Sequence, residues 1–170
     1  KGRGEIMVNV IMIRNTYGGV EYLRNGCFYV TNHDRAIAPG GFGVNYTDAV
    51  ACYNNMLAVK QFYRKTSDNP LLHIVVSYNE KVKDIITATC LSNKIAGFFN
   101  GYQYVYCTHE KDRECSWFHM HLVINSVSYL NGNLISSWVG YMQQFCAHVS
   151  AITGQRTWLS IKTKTNDFDD

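Results

Sequence analysis

Proline and charge are both scarce in this chain of 170 residues: there are two prolines, and Asp, Glu, Lys and Arg together make up 17%. Disordered and linker-rich chains are rich in both, so the composition predicts order along nearly the whole length. No apolar run approaches the roughly 20 residues that span a bilayer, and no signal-peptide pattern opens the chain, so no membrane insertion is expected. The six cysteines, Cys27, Cys52, Cys90, Cys107, Cys115 and Cys146, form no CxxC pair and no short-spaced framework. That argues against a disulfide scaffold and for a reduced, cytosolic setting with most thiols in the core. Signature motifs are missing as well. There is no P-loop or GxGxxG to cradle a nucleotide, no HExxH, and no H-x-E with P-C-x-x-C of a zinc deaminase.

What is present is an apolar chain, 46% hydrophobic, with twelve tyrosines and a net charge of +3. Its length suits one domain, residues 1–170, that buries a core without staples. The chain opens on lysine rather than methionine, as a trimmed sequence does, and the domain is expected to be an N-terminal fragment of a longer protein.

Periodicity predicts strands over residues 5–13, 70–78, 102–109, 117–127 and 156–163. Helices are predicted from Gly19 to Gly26, over residues 46–65 with Asn45 or Thr47 as the cap, over 80–99, and over 134–153 on Ile135, Trp138, Met142, Phe145 and Val149. The charged loop EKDRECS joins two of the strands into an antiparallel pair. Strands interleaved with helices, some through hairpins and some through crossovers, give an α+β fold: a central, mainly antiparallel sheet with helices packed on one main face.

The chemistry concentrates in WFHMHLVIN. Residues two apart on a strand share a face, so His119 and His121 point together while Phe118, Met120, Leu122 and Ile124 take the other side. His109 ends the preceding strand and can meet them across the hairpin. Three nitrogen ligands with positions left open describe a catalytic metal site rather than a closed structural one. Asn125 on the same face is placed to orient an imidazole or the substrate. The competing explanation is surface decoration, since single histidines on half-exposed strands are usually that.

At THEKDRECSWFHMHLVIN the residues resemble the metal motif of the HUH endonucleases, named for histidine, hydrophobe, histidine, and spelled here His119-Met120-His121. Two further segments resemble the relaxase branch of mobile genetic elements: GGVEYLRN is similar to its N-terminal tyrosine motif, and LLHIVVSYNE, with Ser77, to its middle motif. The three stand in the family's order. The resemblance implies an HUH-type sheet and a metal-dependent DNA relaxase that nicks one strand at an origin of transfer. A tyrosine attacks the scissile phosphate, leaving a 5′-phosphotyrosine, and the strand is later rejoined.

The matching nucleophile is Tyr22, and the matching ligands of a Mn²⁺ or Mg²⁺ ion are His109, His119 and His121. His73, Glu80 and Asp112 are candidate supporting groups, His73 also as a substitute ligand. Residues 110–118 make a longer run between the first histidine and the pair than relatives commonly show. Trp117 stands where many relatives carry another histidine. The implied partners are single-stranded or origin DNA and the accessory and coupling proteins of a conjugative transfer system, and the implied location is the bacterial cytoplasm. Lys60, Arg64, Lys65, Lys81, Lys83, Lys94, Arg156, Lys162 and Lys164, with tyrosines nearby, are candidates for holding the DNA backbone. The alternatives are an HUH replication initiator or transposase and, in another class, a non-catalytic nucleic-acid-binding module.

Overall fold

The computed structural model describes residues 7–15, 20–32, 37–67, 69–110, 117–136 and 139–164. The expectations for Glu5, Tyr17, Asp112, Cys115 and Trp138 fall outside them. The described elements run β1 (Val8–Asn15), α1 (Val20–Val30), β2 (Gly40–Phe42), α2 (Ala49–Phe62), β3 (Leu71–Ser77), α3 (Ile85–Ala96), β4 (Tyr102–His109), β5 (His119–Ser128), α4 (Val139–Thr153) and β6 (Thr157–Lys164). The six strands form one sheet in the order β2-β4-β5-β3-β1-β6. Every neighbouring pair is antiparallel except β1 with β6, which is parallel. The α+β expectation therefore holds.

Helices cover both faces of this sheet rather than one main face. Alternation along the strands divides the core in two. Val8, Val10 and Met12, Leu72, Ile74 and Val76, and Met120, Leu122 and Ile124 point to one side. There they meet Ala88 and Ile95 of α3 and Met142, Phe145 and Val149 of α4. On the other side Leu71, Val105, Cys107 and Val123 meet Tyr22, Leu23, Cys27 and Val30 of α1 and Cys52 and Met56 of α2. Strands buried on both faces lose the clean apolar-polar alternation that marks a one-sided sheet. The near-continuous LLHIVVS of β3 is buried at every position but Val75.

Several element ends differ from the periodicity for local reasons. α2 starts at Asp48, not at Asn45 or Thr47: the Asp48 carboxylate accepts from the Ala51 amide at 2.8 Å, while Asn45 turns its carbonyl to the Thr47 amide and hydroxyl. Asp84 caps α3 in the same way, through the Thr87 amide, and that hydrogen bond is the chief cause lowering its carboxyl below the usual value. α1 continues through Gly26 instead of stopping there. Burial of Cys27 and Val30 in the next turn outweighs the roughly 1 kcal/mol that a glycine costs a helix. α4 begins at Val139, and Leu134 makes a bridge with Val127 instead of a first helical turn.

Candidate active site

Register brings the histidines together. His109 pairs directly with His119 across β4 and β5, and Cys107 pairs with His121 one step along. The His109, His119 and His121 ring centres form a nearly equilateral triangle with sides of 5.2, 5.1 and 5.2 Å. Imidazole ligands place a metal at about 2.1 Å from nitrogen. With roughly 1.2 Å more to the ring centre, two imidazoles at right-angle to tetrahedral spacing have centres about 4.6–5.3 Å apart. The triangle is the right size for three imidazoles on one ion.

The individual nitrogens are engaged as follows. His119 Nδ1 lies 3.3 Å from the Trp117 carbonyl. His121 Nδ1 lies 3.1 Å from Nε2 of His73, and its Nε2 lies 3.5 Å from the Tyr29 hydroxyl. His73 sits on β3 opposite Val123, two residues from the partner of His121, so it touches His121 diagonally and does not complete the triangle. His109 Nε2 is taken by the Cys107 thiol at 2.8 Å. Burial pushes that thiol well above its usual range, which keeps it protonated. Among the described residues no group of three His, Cys, Asp or Glu side chains is posed as it stands to hold a metal.

The tyrosine beside this triangle is Tyr29. Its hydroxyl lies 3.5 Å from His121 Nε2, its ring is stacked 6.0 Å from that of His109, and it meets His121 edge-on at 5.0 Å. Tyr22 sits seven residues earlier on α1, on the same helix face but roughly 10 Å away along the axis. It is buried in the apolar layer beneath α1, 5% exposed, and lines a shallow pocket with Met12, Ile13, Arg14, Asn69, Leu71 and Leu72. α1 therefore runs back over the sheet from the Arg14 end to the histidine end, and its last turn delivers a phenol to the imidazoles.

The other candidates divide. Ser77 is buried directly opposite His119, beside the cluster. Asn125 lies four residues beyond His121, about 13 Å along the strand. It is fully buried, with Nδ2 donating to the Met56 carbonyl at 3.0 Å and to Gln103 Oε1 at 2.9 Å. Its described contacts tie α2 to the sheet; they do not orient an imidazole. Glu80 is exposed in the turn after β3. Lys60 is not a surface cation: it is 1% exposed, and its ammonium donates to Ser126 Oγ at 2.6 Å. Lys65 donates to the Gly132 carbonyl. Arg64, Lys81, Lys83, Lys94, Arg156 and Lys162 stand at or near the surface.

A mainly antiparallel sheet with helices on it and a histidine-hydrophobe-histidine strand at its centre fit a nuclease named for that motif. The family of relaxases described as MobA/VirD2-like, nuclease domain, matches residues 22–153, a span that holds every histidine of the cluster and both tyrosines. The chain belongs to that family, and with it to the DNA-nicking endonucleases. Neither the curated proteins nor the solved structures yield a match. No helix among the described residues is long and apolar enough to cross a membrane.

Proposed function

We propose that this domain cuts and rejoins one strand of origin-of-transfer DNA in conjugative mobilisation, with Tyr29 as the nucleophile and His109, His119 and His121 as the ligands of a divalent ion, Mn²⁺ or Mg²⁺. The observation that carries the reading is the Tyr29 hydroxyl at the edge of the histidine triangle. The motif likeness favours Tyr22 instead, and the choice between the two belongs to experiment.

In the reaction Tyr29 Oη attacks the scissile phosphorus and the P–O3′ bond breaks. The phosphate stays on the tyrosine as a 5′-phosphotyrosine, and the 3′-oxygen leaves as a hydroxyl, taking up one proton for the one the phenol gives away. A bound divalent ion would supply charge neutralisation at the phosphoryl oxygens and help polarise them. The chain itself supplies position. The stack on His109 and the contact with His121 fix the phenol, and His73 fixes the His121 ring through Nδ1. Because the ester keeps the bond energy of the cut, the reverse attack by a 3′-hydroxyl closes the strand.

The direct test incubates protein with single-stranded DNA bearing an origin of transfer and Mn²⁺ or Mg²⁺ and looks for a covalent adduct. Tyr29→Phe is expected to abolish the adduct and Tyr22→Phe to retain it; the reverse pattern returns the role to Tyr22. Chelation by EDTA is expected to stop adduct formation, and an adduct that forms equally well in EDTA removes the metal from the account. The transfer system's accessory and coupling proteins would act with this domain in the bacterial cytoplasm.

A further inference from the structure

We infer that the part of the histidine-bearing face built by β1 and β6 is the track on which the single DNA strand lies as it leaves the histidines, with one base stacked on the indole of Trp158. This rests on the nuclease reading above and adds to it a strand path and a base subsite.

Register places the parts in one row. His109 pairs with His119, His119 with Ser77, Ser77 with Asn9 and Asn9 with Trp158. Register partners point to the same side of a sheet, so all five share a face. The opposite parity of β6 confirms it: Thr157 bonds back to Cys146 and Ser150 of α4, and Leu159 packs into the core beneath α3 and α4. Trp158 stands three strands from His119, roughly 14 Å away at ordinary strand spacing. A few nucleotides of an extended strand bridge that distance.

Among the described residues the face is open where the row runs out. α1 and α2 lie over β3, β4 and β5. On β1 and β6, Asn9 is exposed, Ile11 and Ser160 are half-buried, and Trp158 is 60% exposed. β6 is also a sheet edge. Such edges are usually blunted with charge; this one carries a largely exposed indole. Between the histidines and the indole the row carries two small polar groups, Ser77, which is buried beside the histidines, and Asn9, where the exposed part of the row begins. Lys162 is exposed on the same face, opposite Ile13. An exposed π-face and, about 13 Å along the same strand face, an exposed cation suit a single nucleic-acid strand, whose every base can stack and whose every link is anionic.

The test separates binding from cutting. An oligothymidylate of about 15 nucleotides, fluorescein-labelled, is titrated in EDTA with wild-type protein, Trp158→Ala, Trp158→Phe and Lys162→Ala, while circular dichroism monitors the fold. Trp158→Ala is expected to weaken binding roughly ten-fold and Trp158→Phe to recover most of it. Lys162→Ala is expected to lower the salt slope by about 0.7. Indole quenching on binding should be smaller in Trp158→Phe than in wild type. Folded Trp158→Ala that binds as tightly as wild type overturns the track. So does a Trp158→Ala protein that binds normally but changes from dimer to monomer, which would make this face a contact between two copies. Protein that binds through Trp158 yet forms no adduct under any metal keeps the track and loses the nuclease reading.

Discussion

Tyr22 and Tyr29 differ by seven positions, two helical turns, and sequence spacing alone puts both on one face of the same helix. What separates them is direction. A helix that follows a strand and packs back on its sheet carries its later residues toward the strand's beginning, and the β1 end near Asn9 is the end that bears His119. That consequence was available once α1 was known to reach Val30, but Gly26 suggested a stop and hid the turn that holds Tyr29. The histidine triangle was legible, because period two and a hairpin suffice to gather His109, His119 and His121. His73 was visible only as a possible ligand. Its contact with Nδ1 of His121 depends on β3 lying beside β5, which no local pattern reveals. His73→Ala is expected to lower affinity for Mn²⁺ roughly 10- to 100-fold while leaving the fold intact, as loss of a group that orients a ligand does. Isothermal titration of the apoprotein measures this. His119→Ala should abolish tight binding.

Among the elements, the strands of the hairpin were legible nearly to the residue. β4 coincides with the expected 102–109, and β5 (His119–Ser128) is shifted slightly from 117–127. β2, three residues with two glycines, carries no periodicity and exists because Gly40 to Phe42 pair with β4. Helix starts were misjudged where several cap-forming residues compete, as Asn45, Thr47 and Asp48 do ahead of α2. Asp48→Ala is expected to cost about 1 kcal/mol in urea unfolding, whereas Thr47→Ala should cost much less. At α3 the Asp84 carboxyl is held below its usual range by the Thr87 amide, so its contribution is present above the ordinary value of 3.8 and lost as pH falls below it. Asp84→Ala should therefore lower the melting temperature at neutral pH, and the gap from wild type should close in acid.

For the whole molecule, burial of both sheet faces explains why the histidines are not surface decoration: His109 and His119 are buried and α1 is their roof. Two-sided burial was illegible locally, since apolar residues on a face that also carries two imidazoles and an asparagine read as half-exposed. Burial also predicts an alkaline limit. The Cys107 thiol is raised above 9.0, chiefly by burial, and the Tyr106 phenol is pushed up to about 12, again mainly by burial and then by Tyr104. Groups whose folded values are raised stabilise the fold fully below their ordinary values, and the unfolded chain gives up their protons first. Stability should thus fall as pH rises from about 9 through about 12, seen as a declining urea midpoint. Among the described cysteines Cys90 is exposed and Cys27, Cys52, Cys107 and Cys146 are buried, so Cys90 should react with a thiol reagent well before those four. The account as a whole stands on which phenol meets the DNA. Arg14, Arg24 and Arg35 let trypsin release Tyr22 in peptide 15–24 and Tyr29 in peptide 25–35. Mass spectrometry of the digested, nuclease-trimmed DNA adduct should find the nucleotide on peptide 25–35, and a nucleotide on peptide 15–24 would contradict the geometry proposed for this site.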